Sequence, residues 1–598
     1  MSIGLITLIV LGLAVLGFIL GRQRALSAVK GDPRTLHSLP GYYGWAVFLF
    51  TAVPALLVLV TWAFVQPIAL NSHVAAMVPE ADVASYGSTQ LVMADVRRIA
   101  DGLDAVARKA GLDEAGLAAL AAGAEALAER QAQENDVSLL PKVTLADVPA
   151  QVKAPGVGEA RALLPGLQAT SHVQGTNGLF YEQLIVDLPA LDEREAQLLP
   201  LYTSLFSELG AGGDDYRRLQ QRQSAVSGGL RMSLSARTSL TDRNAAQAHL
   251  VVSGKALAYN QEAFQQLLHD TFSSLRFDET GRVRDILAQL KARWEASITG
   301  QGHALAMGAA ARGFSALAAF QQRQGGLAGI RFIRQLNEQV QADDAALAAL
   351  AGELAALHGK VAVAPRQLLL IGESDTLAAA SATAASLWAG APLPAAAGGM
   401  IRTPADEHVN EAWLTQTQVQ FCARAYPAVP VDHADAPALM ALGGFLRNGF
   451  LHRAIREQGG AYGGGAGYDG NACAFRFFSY RDPRFAETLA DFDASLDWLQ
   501  SHRHGADQLE EALLGIFADM DKPLSPAGEA RQAFHNGLYG RTIEQRQRLR
   551  ERLLALTLDD LRTVAARYLD PARAATAVIA PSAKADVAES LGLTIRRL

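Results

Sequence analysis

The sequence predicts an α+β protein in which a hydrophobic N-terminal hairpin precedes two copies of one unit of strands and helices. Two observations lead to this fold class. Two charge-free stretches lie within the first 65 residues, and two helix-and-strand motifs recur in the same order more than 200 positions later. Strands mixed with long helices indicate sheets that are covered by helices.

Composition excludes several classes of protein. The 598 residues carry a net charge of −7, which excludes a broadly basic protein that binds nucleic acid. The length predicts about four domains. The two cysteines, Cys422 and Cys473, are too few for a disulfide-rich scaffold or a cysteine-based zinc ribbon. They leave open two buried thiols or one disulfide bridge.

The first element is a pair of candidate membrane spans. Ile3–Leu20 is a run of 18 residues without charge and Gly44–Val65 a run of 22, and a bilayer needs about 20. Between them, Arg22, Arg24, Lys30 and Arg34 outnumber Asp32, so the positive-inside rule puts this loop in the cytoplasm. We therefore expect a bacterial inner-membrane protein whose soluble part is periplasmic. A signal peptide is the alternative for the first run.

A helical linker and the first copy of the repeat follow. Leu117–Gln131 is rich in alanine with interleaved charges, which is typical of a helical linker, and its apolar pattern is too short for a coiled coil. Asp215–Ala225 predicts a helix, Gly228-Gly229 a turn, and the alternating Leu230–Ser239 a strand.

The second copy has the same order. Helical spacing from Leu439 to Ile455 leads into Gly459-Gly460 and then a strand, Ala472–Tyr480. A second pair of helices, around Phe264 and Phe485, recurs at nearly the same offset, which favours a repeat of about 220 residues. Further strands are expected at Phe180–Leu188, His249–Ser253, Gln367–Ile371 and Thr415–Ala423. The charge-free Leu377–Ile401, with its two prolines, predicts a helix and a loop rather than a third span.

The densest motif is the glycine-rich run from Arg456 to Gly470. It lacks the lysine and the Ser/Thr of a phosphate-binding P-loop, and it leaves a helix for a strand, the reverse of a dinucleotide fingerprint. A turn that another backbone can approach closely remains, as an extended peptide adding to a sheet edge requires. Its glycines are Gly459, Gly460, Gly463, Gly464 and Gly465. Arg456 and Tyr462 beside it could hold a carbonyl, or could be a surface arginine and a packed tyrosine.

No complete metal motif occurs in the sequence. His502 and His504 precede three acidic residues, Asp507, Glu510 and Glu511, which we interpret as a solvated loop and the acidic first turn of a helix. His408 and Glu411 have the spacing of the first part of HxxEH, but Ala412 stands where the second histidine belongs. We therefore expect this chain to bind no metal.

The opening resembles the N-terminal extension of bacterial phosphate ABC transporter permeases. The resemblance rests on GRQRAL (Gly21–Leu26), LHSLPGYYGWAVFLF (Leu36–Phe50) and ADVRRIADG (Ala94–Gly102) and covers residues 1–100. The permease core that the family implies, with further spans and a coupling loop, does not follow in this sequence. The resemblance therefore does not extend to phosphate transport.

From about residue 102 the chain resembles the C-terminal half of presequence proteases, zinc peptidases of the pitrilysin/insulysin superfamily. The motifs are Glu125–Pro149, Thr176–Leu191, Ser227–Ser235, Gly302–Phe314, Ile455–Asp469 and Phe475–Arg484. The resemblance implies two pitrilysin-like α/β sandwich domains of the LuxS and mitochondrial-processing-peptidase fold. With it we expect a hairpin at 1–100, a linker at 101–160, a third peptidase domain at 161–360 and a fourth at 361–598.

The resemblance implies a chamber that closes around short unstructured peptides. In that family the HxxEH motif of the N-terminal half holds zinc, and this chain has neither that half nor, in the corresponding Leu199–Gly210, a histidine. Arg456 and Tyr462 match the family's substrate-contacting arginine and tyrosine. Three hypotheses follow: a half-enzyme inactive without a separate HxxEH-containing half, a membrane-tethered peptide-binding module, and a gene-fusion product. In each, zinc is expected only in the other half.

Overall fold

The computed structural model divides into two units, Met1–Pro141 and Lys142–Leu598. It describes residues 14–20, 23–24, 27, 45–51, 122–123, 126, 130, 139–154, 156–392, 398–402, 408–501 and 503–598. In the first unit, residues 14–20 and 45–51 are helical, and the rings of Phe18 and Trp45 lie 5.4 Å apart. The rest of both predicted spans lies outside the described residues, so the structure does not show the predicted transmembrane hairpin.

The first repeat of the second unit contains seven strands and nine helices among the described residues. Its strands are β1 (Glu159–Leu164), β2 (Leu167–Val173), β3 (Leu179–Asp187), β4 (Leu230–Thr238), β5 (Ala245–Leu257), β6 (Arg366–Gly372) and β7 (Met400–Arg402). Its helices are α1 (Glu193–Leu205), α2 (Tyr216–Val226), α3 (Gln261–Ser273), α4 (Thr280–Gly300), α5 (Gly302–Ala311), α6 (Ala316–Gln324), α7 (Leu327–Ala342), α8 (Asp344–Ala362) and α9 (Ser374–Trp388).

The second repeat is a six-stranded sheet with its own helices. Its strands are β8 (Asn410–Thr415), β9 (Phe421–Pro427), β10 (Gly463–Asp469), β11 (Ala474–Tyr480), β12 (Ala575–Pro581) and β13 (Thr594–Arg597). Its α-helices are α10 (Ala436–Leu446), α11 (Ala486–Ser501), α12 (Ala506–Met520), α13 (Pro526–Leu538), α14 (Ile543–Leu554), α15 (Leu558–Tyr568) and α16 (Ala585–Ser590). A π-helix, Arg447–Gln458, continues α10.

The two sheets share one strand order. It is β2-β6-β3-β5-β4 in the first repeat and β8-β12-β9-β11-β10 in the second, with one parallel pair at the corresponding place. The turn before the edge strand also corresponds, because Gly229 and Gly460 both have positive φ, at 95° and 76°. Only glycine adopts this conformation at no steric cost. The structure therefore has the internal repeat that the sequence predicts.

Each sheet is packed on both faces, once by its own helices and once by a helix of the other repeat. Helix α5 of the first repeat lies on the second sheet, where Ala306, Ala309 and Ala310 are fully buried. Helix α13 of the second repeat lies on the first sheet, where Ala527 and Ala530 pack against Ile185, Val251 and Leu369. Small side chains let both helices lie close to the strands.

Several predicted boundaries differ from the structure. Strand β6 follows residue 360 but pairs with β2 and β3, so the expected boundary between 360 and 361 cuts the first sheet. Thr415–Ala423 is two strands, β8 and β9, separated by a turn that the Thr417 hydroxyl closes on Val419 O at 3.1 Å. These pairings join residues far apart in the chain, which periodicity does not report.

The linker expected at 101–160 is helical at its described residues 122, 123, 126 and 130 but not after residue 138, apart from a 3₁₀ turn. There it lies on the second repeat, with Leu145 N donating to Glu510 Oε1 at 2.9 Å. Among the described residues one helix, α8, has the length and composition of a membrane span. Its Leu347, Leu350, Leu354 and Leu357 are buried in the first core, as in a soluble helix.

Candidate functional site

The glycine-rich motif forms an edge of the second sheet. Strand β10 pairs with β11 along its whole length, from Gly463 opposite Tyr480 to Asp469 opposite Ala474. Within the described residues no strand pairs with its other side. Since alternate residues of an antiparallel edge strand turn their N–H and C=O groups away from the sheet, β10 offers backbone groups to a further strand.

The glycines of this motif have separate roles. Gly459 and Gly460 form the turn, where Gly460 N donates to Arg456 O at 3.1 Å. At Gly459, a Cβ would overlap the Arg484 guanidinium, which bonds Ala454 O and Asp491 beneath the turn. In β10, a Cβ at Gly464 would lie 2.7 Å from Ile455 Cγ2, so glycine lets the π-helix approach the strand.

Tyr462 and Arg456 lie on the two sides of this turn. Tyr462 is 67% exposed although its N–H bonds Tyr480 O at 3.1 Å and its ring meets the Tyr480 ring edge to face at 5.5 Å. Arg456, in the last turn of the π-helix, is exposed, and its guanidinium makes no ion pair with any described residue. The structure therefore places both predicted residues, together with Gly463 and Gly465, at one solvent-facing end of β10.

The remote end of the turn is fixed by a residue that the sequence analysis did not select. Asp482 is fully buried, accepts from Arg484 N at 2.9 Å and from Thr488 Oγ1 at 2.7 Å, and its backbone pairs with Gln420. Burial raises the pKa of the Asp482 carboxyl above its usual range. The signal in the sequence is the RDPR run after β11, where a proline ends the strand.

The histidines and acids considered for metal binding have other partners. The His504 ring packs on Trp498 at 4.3 Å, Glu510 accepts from Leu145 N, and Glu511 accepts from Asn448 Nδ2 at 3.0 Å. His502 lies outside the described residues. Glu411 is buried in an ion pair with Arg312 at 2.5 Å. In the described ranges no three His, Cys, Asp or Glu side chains are grouped as metal ligands.

The segment that would carry the catalytic helix in a mirrored first half is part of the first core. Leu199–Gly210 begins within α1 and contains Tyr202, whose hydroxyl bonds His358 Nδ1 at 2.9 Å. Burial lowers the pKa of His358 to about 4. A neutral, buried imidazole bonded to a tyrosine is a packing feature. Cys422 and Cys473 are both buried and free.

Three family models match the chain. They describe a domain associated with subfamily C of the pitrilysin-type peptidases over residues 97–336, a PreP C-terminal domain over residues 410–581, and a phosphate ATP-binding cassette transporter over residues 6–154. Two similar curated proteins are mitochondrial presequence proteases. The one from Danio rerio is 28% identical over 475 residues, which are 73% of this chain and 44% of that protein. The one from Yarrowia lipolytica is 28% identical over 461 residues, 76% of this chain and 46% of that protein.

Two solved structures have the same fold. A conserved protein from Enterococcus faecalis V583 aligns with a TM-score of 0.54 and 13% identity over 71% of this chain and 99% of its own. Pitrilysin aligns with a TM-score of 0.51 and 14% identity over 77% of this chain and 47% of its own. The two repeats are therefore pitrilysin-like domains.

The two strand-and-helix repeats and the sequence matches together define the class, which is the pitrilysin superfamily. Within that superfamily the chain is presequence-protease-like from about residue 97 onward. It spans less than half the length of the two curated relatives described above.

Proposed function

We propose that this chain is the peptide-binding half of a presequence-protease-like metallopeptidase and cleaves nothing alone. An extended peptide would add as a strand along the free edge of β10. The observation that carries the proposal is a glycine-rich edge strand whose backbone is open on one side. Edge addition supplies main-chain hydrogen bonds that do not depend on the peptide's sequence.

Arg456 and Tyr462 would hold the peptide at the start of that edge. The exposed guanidinium of Arg456 can donate to peptide carbonyls, and the phenol of Tyr462 can donate or accept. Neither side chain is buried, so both can be reached without moving the core. The relatives' name, presequence protease, supports short unstructured peptides as the ligand class.

The zinc chemistry would belong to a second component. A separate half with an HxxEH motif would hold the zinc and activate water, and this chain would supply the opposite wall. We further propose that residues 1–100 anchor the chain in a bacterial inner membrane. The charge rule then puts the peptide site in the periplasm, whereas the peptidase resemblance favours the cytoplasm. No role in binding nucleic acid is proposed.

A gene-fusion product is a second candidate, favoured by one observation. The match to the phosphate transporter model ends at residue 154, and the match to the peptidase-associated model begins at residue 97. Two families thus meet within one chain. An intact permease reading frame beside this gene, with a broken end, would support fusion, and a neighbouring HxxEH reading frame would support the half-enzyme.

The test uses the full chain in detergent with an unstructured, fluorescently labelled peptide of roughly 20–40 residues. We expect binding without cleavage, measured by anisotropy and mass spectrometry with zinc present. Tyr462→Ala should weaken binding about tenfold, as truncation of an anchoring aromatic residue does. Tyr259→Ala is the matched control, because Tyr259 is 81% exposed on the first repeat.

A backbone-modified peptide distinguishes edge addition from other modes. Methylation of alternate peptide nitrogens removes the donors that an added strand needs, so it should abolish binding to β10. Unchanged affinity of the methylated peptide, or equal effects of Tyr462→Ala and Tyr259→Ala, would exclude this site. Chelator-sensitive cleavage by the chain alone would contradict the half-enzyme.

A further inference from the structure

A cleft of about 500 Å³ lies between the first sheet and helix α13. Strand β4, the edge strand of that sheet, turns Arg231, Ser233, Ser235 and Arg237 toward it, because every second residue of a strand faces one side. Helix α13 contributes Arg531, and the chain that follows it contributes Arg541. The cleft thus lies where the second repeat covers the first.

The charge of this cleft is not balanced. Four arginines line it, and no aspartate or glutamate is among the described residues of its wall. Arg231 donates to Ser253 Oγ at 3.4 Å, and Arg237 donates to Ala236 O at 2.8 Å, so their partners are neutral. None of the four forms an ion pair with a described residue, whereas most partly buried arginines elsewhere in the chain do.

Arg541 indicates where an anion would be held. Its Nε is buried and lacks a hydrogen-bond partner among the described residues. Burial and the positive charge of Arg237 lower the pKa of the Arg541 guanidinium. A buried donor without an acceptor costs about 1–3 kcal/mol or more when charged, and an anionic oxygen would remove that cost.

The wall behind the arginines is rigid. The Tyr539 hydroxyl bonds Ser235 O at 2.9 Å and lies under the Arg237 guanidinium, whose carbon is 5.7 Å from the ring centre. His535 Nε2 pairs with Gln183 Oε1 at 2.8 Å. Burial, together with the positive charges around it, lowers the pKa of His535 to about 4. At neutral pH the positive charge of the cleft therefore comes from the arginines.

We propose that this cleft binds a small multivalent phosphate anion, such as pyrophosphate or the phosphate chain of a nucleotide. Guanidinium groups pair with phosphate oxygens through two parallel hydrogen bonds, and the serine hydroxyls add neutral donors. The volume lies within the range of small-molecule sites. The site lies on the first sheet, uses no residue of β10, and does not depend on the peptide-binding proposal.

The test is titration calorimetry of the full chain with inorganic pyrophosphate, together with thermal unfolding. A ligand that binds the folded state raises the unfolding temperature as its concentration exceeds Kd. We expect saturable binding and a rise in that temperature. Arg541→Gln should weaken binding at least tenfold, whereas Arg573→Gln, the same charge change at an exposed arginine outside the cleft, should not.

Ser233→Asp is the second variant, because Ser233 is exposed and its substitution puts a carboxylate into the cleft without disturbing the core. It should abolish binding even if Arg541→Gln fails to fold. Nucleoside triphosphate and inorganic phosphate arms identify the source of the phosphate. Absence of saturable binding, equal weakening by Arg573→Gln, or tighter binding of citrate than of pyrophosphate would overturn the proposal.

Discussion

The two edge strands β4 and β10 occupy the same place in the two sheets and differ in what they present. Strand β4 is LRMSLSART and carries side chains with guanidinium and hydroxyl groups, whereas β10 is GGGAGYD and carries almost none. The same topology thus displays side-chain chemistry in the first repeat and backbone in the second. A duplicated fold can therefore keep its strand order while the exposed edge of each copy takes a different ligand.

The repeats also differ in how they bury a carboxylate. Glu182 on β3 and Glu411 on β8 are 1% and 2% exposed. Glu411 accepts from Arg312 at 2.5 Å and from Trp413 Nε1 at 2.6 Å. Glu182 has no cationic partner among the described residues, and its Oε2 has no hydrogen bond there. Burial raises the pKa of Glu182 to about 8.

The largest expected effect is at Glu182. Folded Glu182 keeps its proton up to about pH 8, whereas the unfolded chain releases it near 4.5. The folded state therefore binds more protons in that window, and stability falls as pH rises from 4.5 to 8. Glu182→Gln should raise the free energy of unfolding by about 4 kcal/mol at pH 9 and little at pH 5. Denaturant unfolding at both pH values measures this, and equal effects would contradict the assignment.

Removing the partner of the other carboxylate should have the opposite sign. Arg312→Met leaves Glu411 buried without its main counter-charge, and we expect the free energy of unfolding to fall by about 3 kcal/mol at pH 7. Arg596→Met is the control, since Arg596 lies 3.7 Å from Glu411 with 47% of its side chain exposed and should matter by less than about 1 kcal/mol. Equal losses in the two variants would show that burial does not separate them.

A smaller effect is expected where α10 crosses β10. A Cβ at Gly443 would lie 2.7 Å from Gly467 Cα, whereas a Cβ at Gly467 would meet nothing within 4 Å. Gly443→Ala should lower stability by about 2 kcal/mol despite its better helix propensity, because backbone must move. Gly467→Ala should be nearly neutral. Chemical denaturation of the two variants checks this, and a neutral Gly443→Ala would mean that α10 does not need its close approach.

The smallest effect concerns the two thiols, which both belong to the second repeat. Burial raises the pKa of Cys473 to about 12, and burial also raises the pKa of Cys422. A buried, protonated thiol is a poor nucleophile. We expect no reaction with a colorimetric thiol reagent at pH 8 in the native chain, and two equivalents in denaturant. One or no equivalent after unfolding without reductant would indicate the bridge that the sequence left open.

The sequence predicts those features whose signals are local. The turn at Gly459-Gly460 and the helical spacing from Leu439 to Ile455 are read from neighbouring residues, and both are found. Pairing of β6 with β2 joins residues about 200 positions apart, so the domain boundary could not be read in this way. The turn between β8 and β9 contains no glycine or proline to mark it. The arginines of β4 alternate along a strand, but only the structure brings Arg531 and Arg541 to face them.

The reciprocal placement of α5 and α13 has a consequence for how the protein behaves under cleavage. Each sheet loses the cover of one face if the other repeat is removed, so neither repeat expressed alone keeps a complete interior. Two fragments produced by a protease between the sheets would remain associated under native conditions and would separate only when both melt. The chain from Lys142 onward is thus a self-complementing pair of fragments joined by a dispensable peptide link.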